Sequence, residues 1–307
     1  MQRQAYKNLF YLGGFGVSCF FSGVYFQKRY TIEGCDLKNY PALPIFGTVS
    51  AATPFTPQVT EQKVSVVNRV SQIMKYGFPS LDNIRSFEDY VLSYDRRNRV
   101  ANWVFEHLTA EKVKHNPEVT RATCEFKPDE SIHTFFRSQN SDYKKSGFDR
   151  GHLAAAGNHK SHQKHIEETF FLSNIAPQVA VGFNRDYWNS LEKYVRNLTK
   201  VYRNVYCCTG PLYLPQINSD GKKYVKYQVI GENNVAVPTH FYKIVVGESE
   251  DGKLDMEAYC LPNTVISADT PLTSFRVPPE SIERAAGLLF FDNLSRSKLC
   301  KINGKKN

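Results

Sequence analysis

SGFDRGHLAAAGNHKSHQKHIEETFFLSNIAPQVAVGFNRDYWNSLEKY, residues 146–194, holds the chain's densest set of chemistry-bearing side chains. It opens on Asp149-Arg150-Gly151-His152 and closes on Asn184 and an amphipathic run. Trp188, Leu191, Val195 and Leu198 recur at three- and four-residue steps, the period of a helix with one buried face. Glu192 and Arg196 stand four apart and so are neighbours on its surface. With the alternating strands found elsewhere in the chain, this predicts an α+β fold: a central, mostly antiparallel sheet with helices on both sides.

The residue types suit attack on a phosphodiester, which needs a base for water, a divalent cation and donors for the non-bridging oxygens. Histidine titrates near neutral pH, so His152 is the natural base. Arg150 is always charged and offers a planar fork for phosphate. Gly151 marks a backbone position with no room for a side chain. Asn184 supplies a neutral carbonyl oxygen, which suits Mg²⁺, a hard cation that takes few protein ligands. Blander readings stand beside each of these. A histidine is more often structural than catalytic, and Asn184 can simply start a helix. Glu192 and Arg196 can be a surface ion pair, and Arg150 can pair with Asp149, itself read as structural. His159, His162 and His165, spaced by three, imitate a zinc site, but they lack a fourth ligand and drift off one helical face; a solvated helix with polar His162 and His165 fits better.

The blocks DRGHLAAAGNH, TFFLSNIAPQ and FNRDYWNSLEKY, in this order, resemble the DNA/RNA non-specific endonuclease family with a ββα-metal core, over roughly Lys75 to Phe291. The resemblance implies an active site on a hairpin-plus-helix metal finger, formed by the DRGH strand and the Asn184 helix. It implies His152 as general base and Asn184 as the direct ligand of Mg²⁺ or Mn²⁺. Asn174 would support the base and the scissile phosphate, and Glu192 would hold metal-bound water. Arg196 would stabilise the transition state, and Arg150 would contact phosphate or serve structurally. Some members carry a further active-site arginine upstream; Arg121 lies near that place, but its register does not place it in the site. The resemblance further implies DNA and RNA as substrates, a homodimer, and a mitochondrial location with nuclear action after release. Two rivals remain: a catalytically silent nucleic-acid-binding protein, and a secreted nuclease of the same family.

Outside this stretch the sequence sets bounds. The formal charge of +9 over 307 residues favours an anionic partner. Seven cysteines, an odd count without a C-x-x-C pair, argue against a disulfide framework and for free thiols. Residues 1–30 carry no acidic group and include an uncharged apolar run at 9–26, read as a mitochondrial targeting segment or membrane anchor. Residues 31–65, with Pro41, Pro44, Pro54 and Pro57, read as a linker, and 66–307 as the nuclease domain. Within it, Asp95-Arg96-Arg97-Asn98 predicts a hairpin turn ahead of a strand over 99–106 that packs Trp103. Residues 108–145 read as a basic, loop-rich surface on which Phe135, Phe136 and Tyr143 interleave with lysines and Arg137. Val205–Thr209 predicts a short buried strand ending at Gly210-Pro211. Alternation predicts half-buried strands over Tyr224–Ile230 and Leu254–Cys260. Pro238 signals a bulge or edge, and His240 a core-rim position. Pro279 and Gly287 bracket a last helix.

Overall fold

The computed structural model describes residues 68–307; the targeting segment, the linker and the run at 9–26 lie outside the described residues. A short helix α1 (Arg69–Ile73) precedes strands β1 (Ile84–Ser86), β2 (Tyr90–Asp95) and β3 (Val100–Leu108). A long irregular stretch follows and contains α2 (Asn140–Tyr143). Next come β4 (Phe148–His152), α3 (Gln163–Glu168), β5 (Ile175–Val179) and α4 (Asn189–Asn197). The remainder is β6 (Asn204–Leu212), four two-residue strands β7 (Gln216–Ile217), β8 (Lys223–Tyr224), β9 (Val229–Ile230) and β10 (Val235–Ala236), then β11 (His240–Glu248) and β12 (Leu254–Pro262). Helix α5 (Pro279–Ala286) and strands β13 (Leu299–Ile302) and β14 (Lys305–Lys306) end the chain.

Eight strands form one sheet in the order β1-β2-β3-β6-β11-β12-β13-β14. Every pairing is antiparallel except β12 with β13, as the α+β reading expects. The central strands are buried on both faces. Along β11, Phe241 and Val245 enter one core cluster while Tyr242, Ile244 and Val246 enter another. Period-two alternation sends the adjacent Cys207 and Cys208 to opposite faces, so both are core residues. One face packs α4 and the β4–β5 pair; the other takes α1, α5 and the rings of Phe290 and Phe291.

The hairpin turn at Asp95–Asn98 is present, with Asp95 Oδ1 accepting from the Arg97 and Asn98 backbone N–H groups. Trp103 is fully buried. Pro279 starts α5 and Gly287 closes it at φ 68°. Two expectations need correcting. Strand β6 does not stop at Gly210-Pro211 but runs to Leu212. Its β3 partner ends at Thr209, so beyond that point β6 is paired only to β11, and a residue without an N–H is tolerated. Tyr224–Ile230 is not one half-buried strand. It breaks into β8 and β9, and Val225 and Val229 are exposed, because the stretch lies off the main sheet and only its end, at Ile230, reaches the core.

Candidate active site

The motif lies on β4, paired antiparallel to β5 with His152 opposite Ile175 and Gly151 opposite Ala176. Gly151 is required by close approach: a Cβ there would fall 2.1 Å from Gln178 Oε1 on β5. After β5 the chain breaks at Val181–Gly182, where Gly182 has φ 84°, and winds through Asn184 into α4. Trp188, Leu191 and Val195 are buried against the sheet, the stripe read from the sequence.

Both ends of β4 are strapped to this helical segment. Asn184 Nδ2 donates to Asp149 Oδ2 at 2.9 Å, and Trp188 Nε1 reaches the His152 carbonyl at 3.4 Å. Asp149 therefore orients Asn184, and its own ion pair is with Arg185 at 2.8 Å, not with Arg150. Arg185 and Asn184 hold the Asp149 carboxyl below the usual range, against its partial burial. With Nδ2 engaged, Asn184 keeps its Oδ1 free of any protein partner among the described residues. Arg150 instead donates to Asn140 Oδ1 at 2.7 Å and stacks 4.4 Å over the Phe126 ring.

His152 lies between the rings of Phe126 and Phe170, at 5.4 and 4.8 Å, and is 9% exposed. Its Nε2 is enclosed without a hydrogen-bond partner. Burial, then the nearby Arg121 and His159, push its pKa down to about 3, so the ring is neutral at physiological pH. Asn174 is fully buried and all its side-chain groups are occupied by backbone. Its Oδ1 accepts from Ala154 N, and its Nδ2 donates to the Ala154 and Thr169 carbonyls. It clamps the segment just after His152 and has no group left for a phosphate. Glu192 makes no hydrogen bond or ion pair among the described residues. Burial and Glu106 raise its pKa to about 7, with Lys243, Arg196 and Arg121 opposing. Arg196 donates to Asn158 Oδ1 at 2.7 Å rather than pairing with Glu192.

A cleft of about 800 Å³ opens beside β4, lined by Arg121, Phe126, Asn140, Tyr143, Lys144, Asp149, Arg150, Asn184 and Arg185. Four of those side chains are cationic and one is anionic, a field that concentrates a polyanion. His152 stands behind the wall formed by Phe126.

A family model for DNA/RNA non-specific endonuclease matches residues 69–297. The chain belongs to the DNA/RNA non-specific endonuclease family. It is 50% identical over 277 residues to mitochondrial endonuclease G of Caenorhabditis elegans, covering 86% of this chain and 90% of that protein. It is 52% identical over 223 residues to the Homo sapiens protein of the same name, covering 73% and 74%. The crystal structure of an EndoG/EndoGI complex superposes with a TM-score of 0.78 at 68% identity, covering 79% of this chain and 99% of that one. The nuclease thus acts on DNA and RNA, and its relatives support a mitochondrial location.

Three contributions escaped the sequence reading. Arg121 lines the cleft and lies close enough to bias His152, although its register gave no assignment. Lys243, buried on β11, donates to Thr209 Oγ1 at 2.7 Å and sits 4.9 Å over the Trp188 ring, bringing a cation beneath the helix. Glu106 does the converse from β3. Nothing local in the sequence marks these two, since each looks like one polar residue in a strand. Of the three spaced histidines, His159 is buried between Asp89 and Glu106, while the His162 and His165 rings meet edge to face at 4.8 Å.

Proposed function

We propose that this nuclease hydrolyses phosphodiester bonds with His152 as general base and Asn184 as the protein ligand of a divalent cation, Mg²⁺ or Mn²⁺. The observation that carries the reading is the strap between β4 and the Asn184 segment. It fixes an amide through its nitrogen, leaves its oxygen without a protein partner among the described residues, and ties the same helical segment to the backbone of a neutral histidine. A neutral amide oxygen with a carboxylate nearby fits a hard, water-rich cation rather than a soft one. When bound, such a cation stabilises charge on the phosphate and its leaving oxygen.

The chain's own residues do the rest. Arg150, Arg121 and Lys144 draw the backbone into the cleft, and Arg150 is braced by Asn140 and the Phe126 ring. With Nε2 enclosed, Nδ1 is the atom of His152 left to meet a water and take its proton. Asn174 holds the loop behind that ring. Glu192, without a protein partner, orients water near Asn184, and Arg196 stabilises the developing negative charge. Residues 1–30 serve as a mitochondrial targeting or anchor segment and 31–65 as a linker to a nuclease domain at 66–307. The protein works as a homodimer and acts in the nucleus after release.

Nicking of supercoiled plasmid, with and without EDTA, tests the activity and its metal. EDTA should abolish nicking and Mg²⁺ or Mn²⁺ should restore it. Removing the Asn184 amide should raise the metal concentration needed for half-maximal rate; an unchanged metal titration would remove Asn184 from the ligand role.

A further inference from the structure

Behind Arg196 runs a buried ionic chain that the mechanism above does not use. His159 is fully enclosed, and both of its ring nitrogens face carboxylates. Nδ1 lies 2.9 Å from Asp89 Oδ2 and Nε2 lies 3.0 Å from Glu106 Oε1. A ring that meets an acceptor on both sides donates on both, which makes it the imidazolium. Burial pulls its pKa down, but the two carboxylates outweigh burial and hold it at about 9. Asp89 is balanced further by Arg69 at 2.6 Å, with Lys112 at 3.8 Å.

The chain continues to Arg196 on α4. Glu106 Oε1 also accepts from Asn158 Nδ2 at 2.8 Å, and Asn158 Oδ1 accepts from Arg196 Nη1 at 2.7 Å. Gly157 leaves the space for this contact, since a Cβ there would stand 2.8 Å from Nη1. The polarity of the chain is its point. A primary amide has a donating end and an accepting end. Because Glu106 takes the donating end, the accepting end must face the guanidinium. Glu106 is in turn fixed by the His159 N–H. Turned about, the amide would oppose its NH₂ to a cation and release it.

We propose that His159, acting through Glu106 and Asn158, is a positioning residue that holds the Arg196 guanidinium in place for the transition state. This rests on the role given to Arg196 above. Its effect belongs in kcat, because substrate entry depends on the cleft cations and not on this chain.

Steady-state plasmid cleavage by His159→Gln, Asn158→Ala, Arg196→Ala and the two double variants carrying Arg196→Ala tests it, with thermal melts as the fold control. The expected result is a fall in kcat of about 10-fold for His159→Gln and for Asn158→Ala, with KM altered less than about 2-fold, as for a displaced catalytic group. In the Arg196→Ala background each should cost less than about 2-fold more, because residues acting as one unit are not additive. Asn158→Ala leaves the Asp89–His159–Glu106 clamp whole, so it carries the test if His159→Gln does not fold. Losses that multiply in full with Arg196→Ala, or a wild-type kcat for Asn158→Ala, would overturn the proposal. A wild-type kcat for Arg196→Ala would instead overturn the role of Arg196 itself, and this proposal with it.

Discussion

The two faces of the central sheet are made from the same strands yet bury different things. The face towards α1 and α5 is filled by Trp103, Tyr242, Ile244, Phe290 and Phe291. The face towards α4 holds an apolar cluster of its own, but it also buries Glu106, Lys243 and His159 beneath the helix that carries Glu192 and Arg196. Buried ions give little net stability, because desolvation offsets their attraction. A mostly apolar face suffices to hold the sheet together, as the opposite side shows, where burial pushes the His107 pKa down to about 4 and keeps its ring neutral. What the charged face gains is a set of fixed charges in a site where water cannot screen them. The comparison separates a surface selected for packing from one selected for orientation.

Substitutions on the two faces should therefore fail differently. The largest effect belongs to His152→Ala, which should lower the cleavage rate by roughly 10² to 10⁴, the usual contribution of a general base. A loss below about tenfold in plasmid nicking would take the base away from this residue. Next come two tryptophans of equal burial. Trp103→Ala and Trp188→Ala should each cost about 3–5 kcal/mol of stability, read by urea unfolding. Only Trp188→Ala should also lower kcat per folded molecule, because its indole holds the His152 carbonyl. Equal kcat losses from both would erase the distinction between the faces.

A smaller effect appears in pH. His159 has its folded pKa raised from 6.5 to about 9. Its contribution to stability is thus fully present below pH 6.5 and is lost as pH rises from there through about 9, by the order of a few kcal/mol. Melting temperature should fall across that window, and His159→Gln should flatten the fall; an identical slope in the variant would mean another group is titrating. Smallest is Gly287→Ala at the end of α5, where φ is 68° and no neighbour crowds the site. Backbone strain alone should cost about 1 kcal/mol, with nuclease activity unchanged.

Much of this was legible in the sequence where the cause was local. The DRGH segment, the stripe of Trp188, Leu191 and Val195, and the Pro279 and Gly287 boundaries follow from rules that act within a few residues. Tyr224–Ile230 misleads for the same reason. Its alternation is real, but alternation states only that one side is apolar and not that a core waits opposite. Pro211 reads as a stop because its missing N–H is a local fact, whereas the partner that makes the N–H unnecessary is not.

The sequence by itself determined the family, the strand that bears His152, the helix that follows Asn184 and the choice of residue types able to do the proposed chemistry. Only the tertiary structure decided what each of those side chains is free to do. Asp149 occupies one end of Asn184, backbone consumes Asn174, and Asn158 rather than Glu192 receives Arg196. The physical reason is that hydrogen bonds and desolvation depend on neighbours in space. Glu106 and His159 lie 53 positions apart in the chain, yet they share a bond of 3.0 Å.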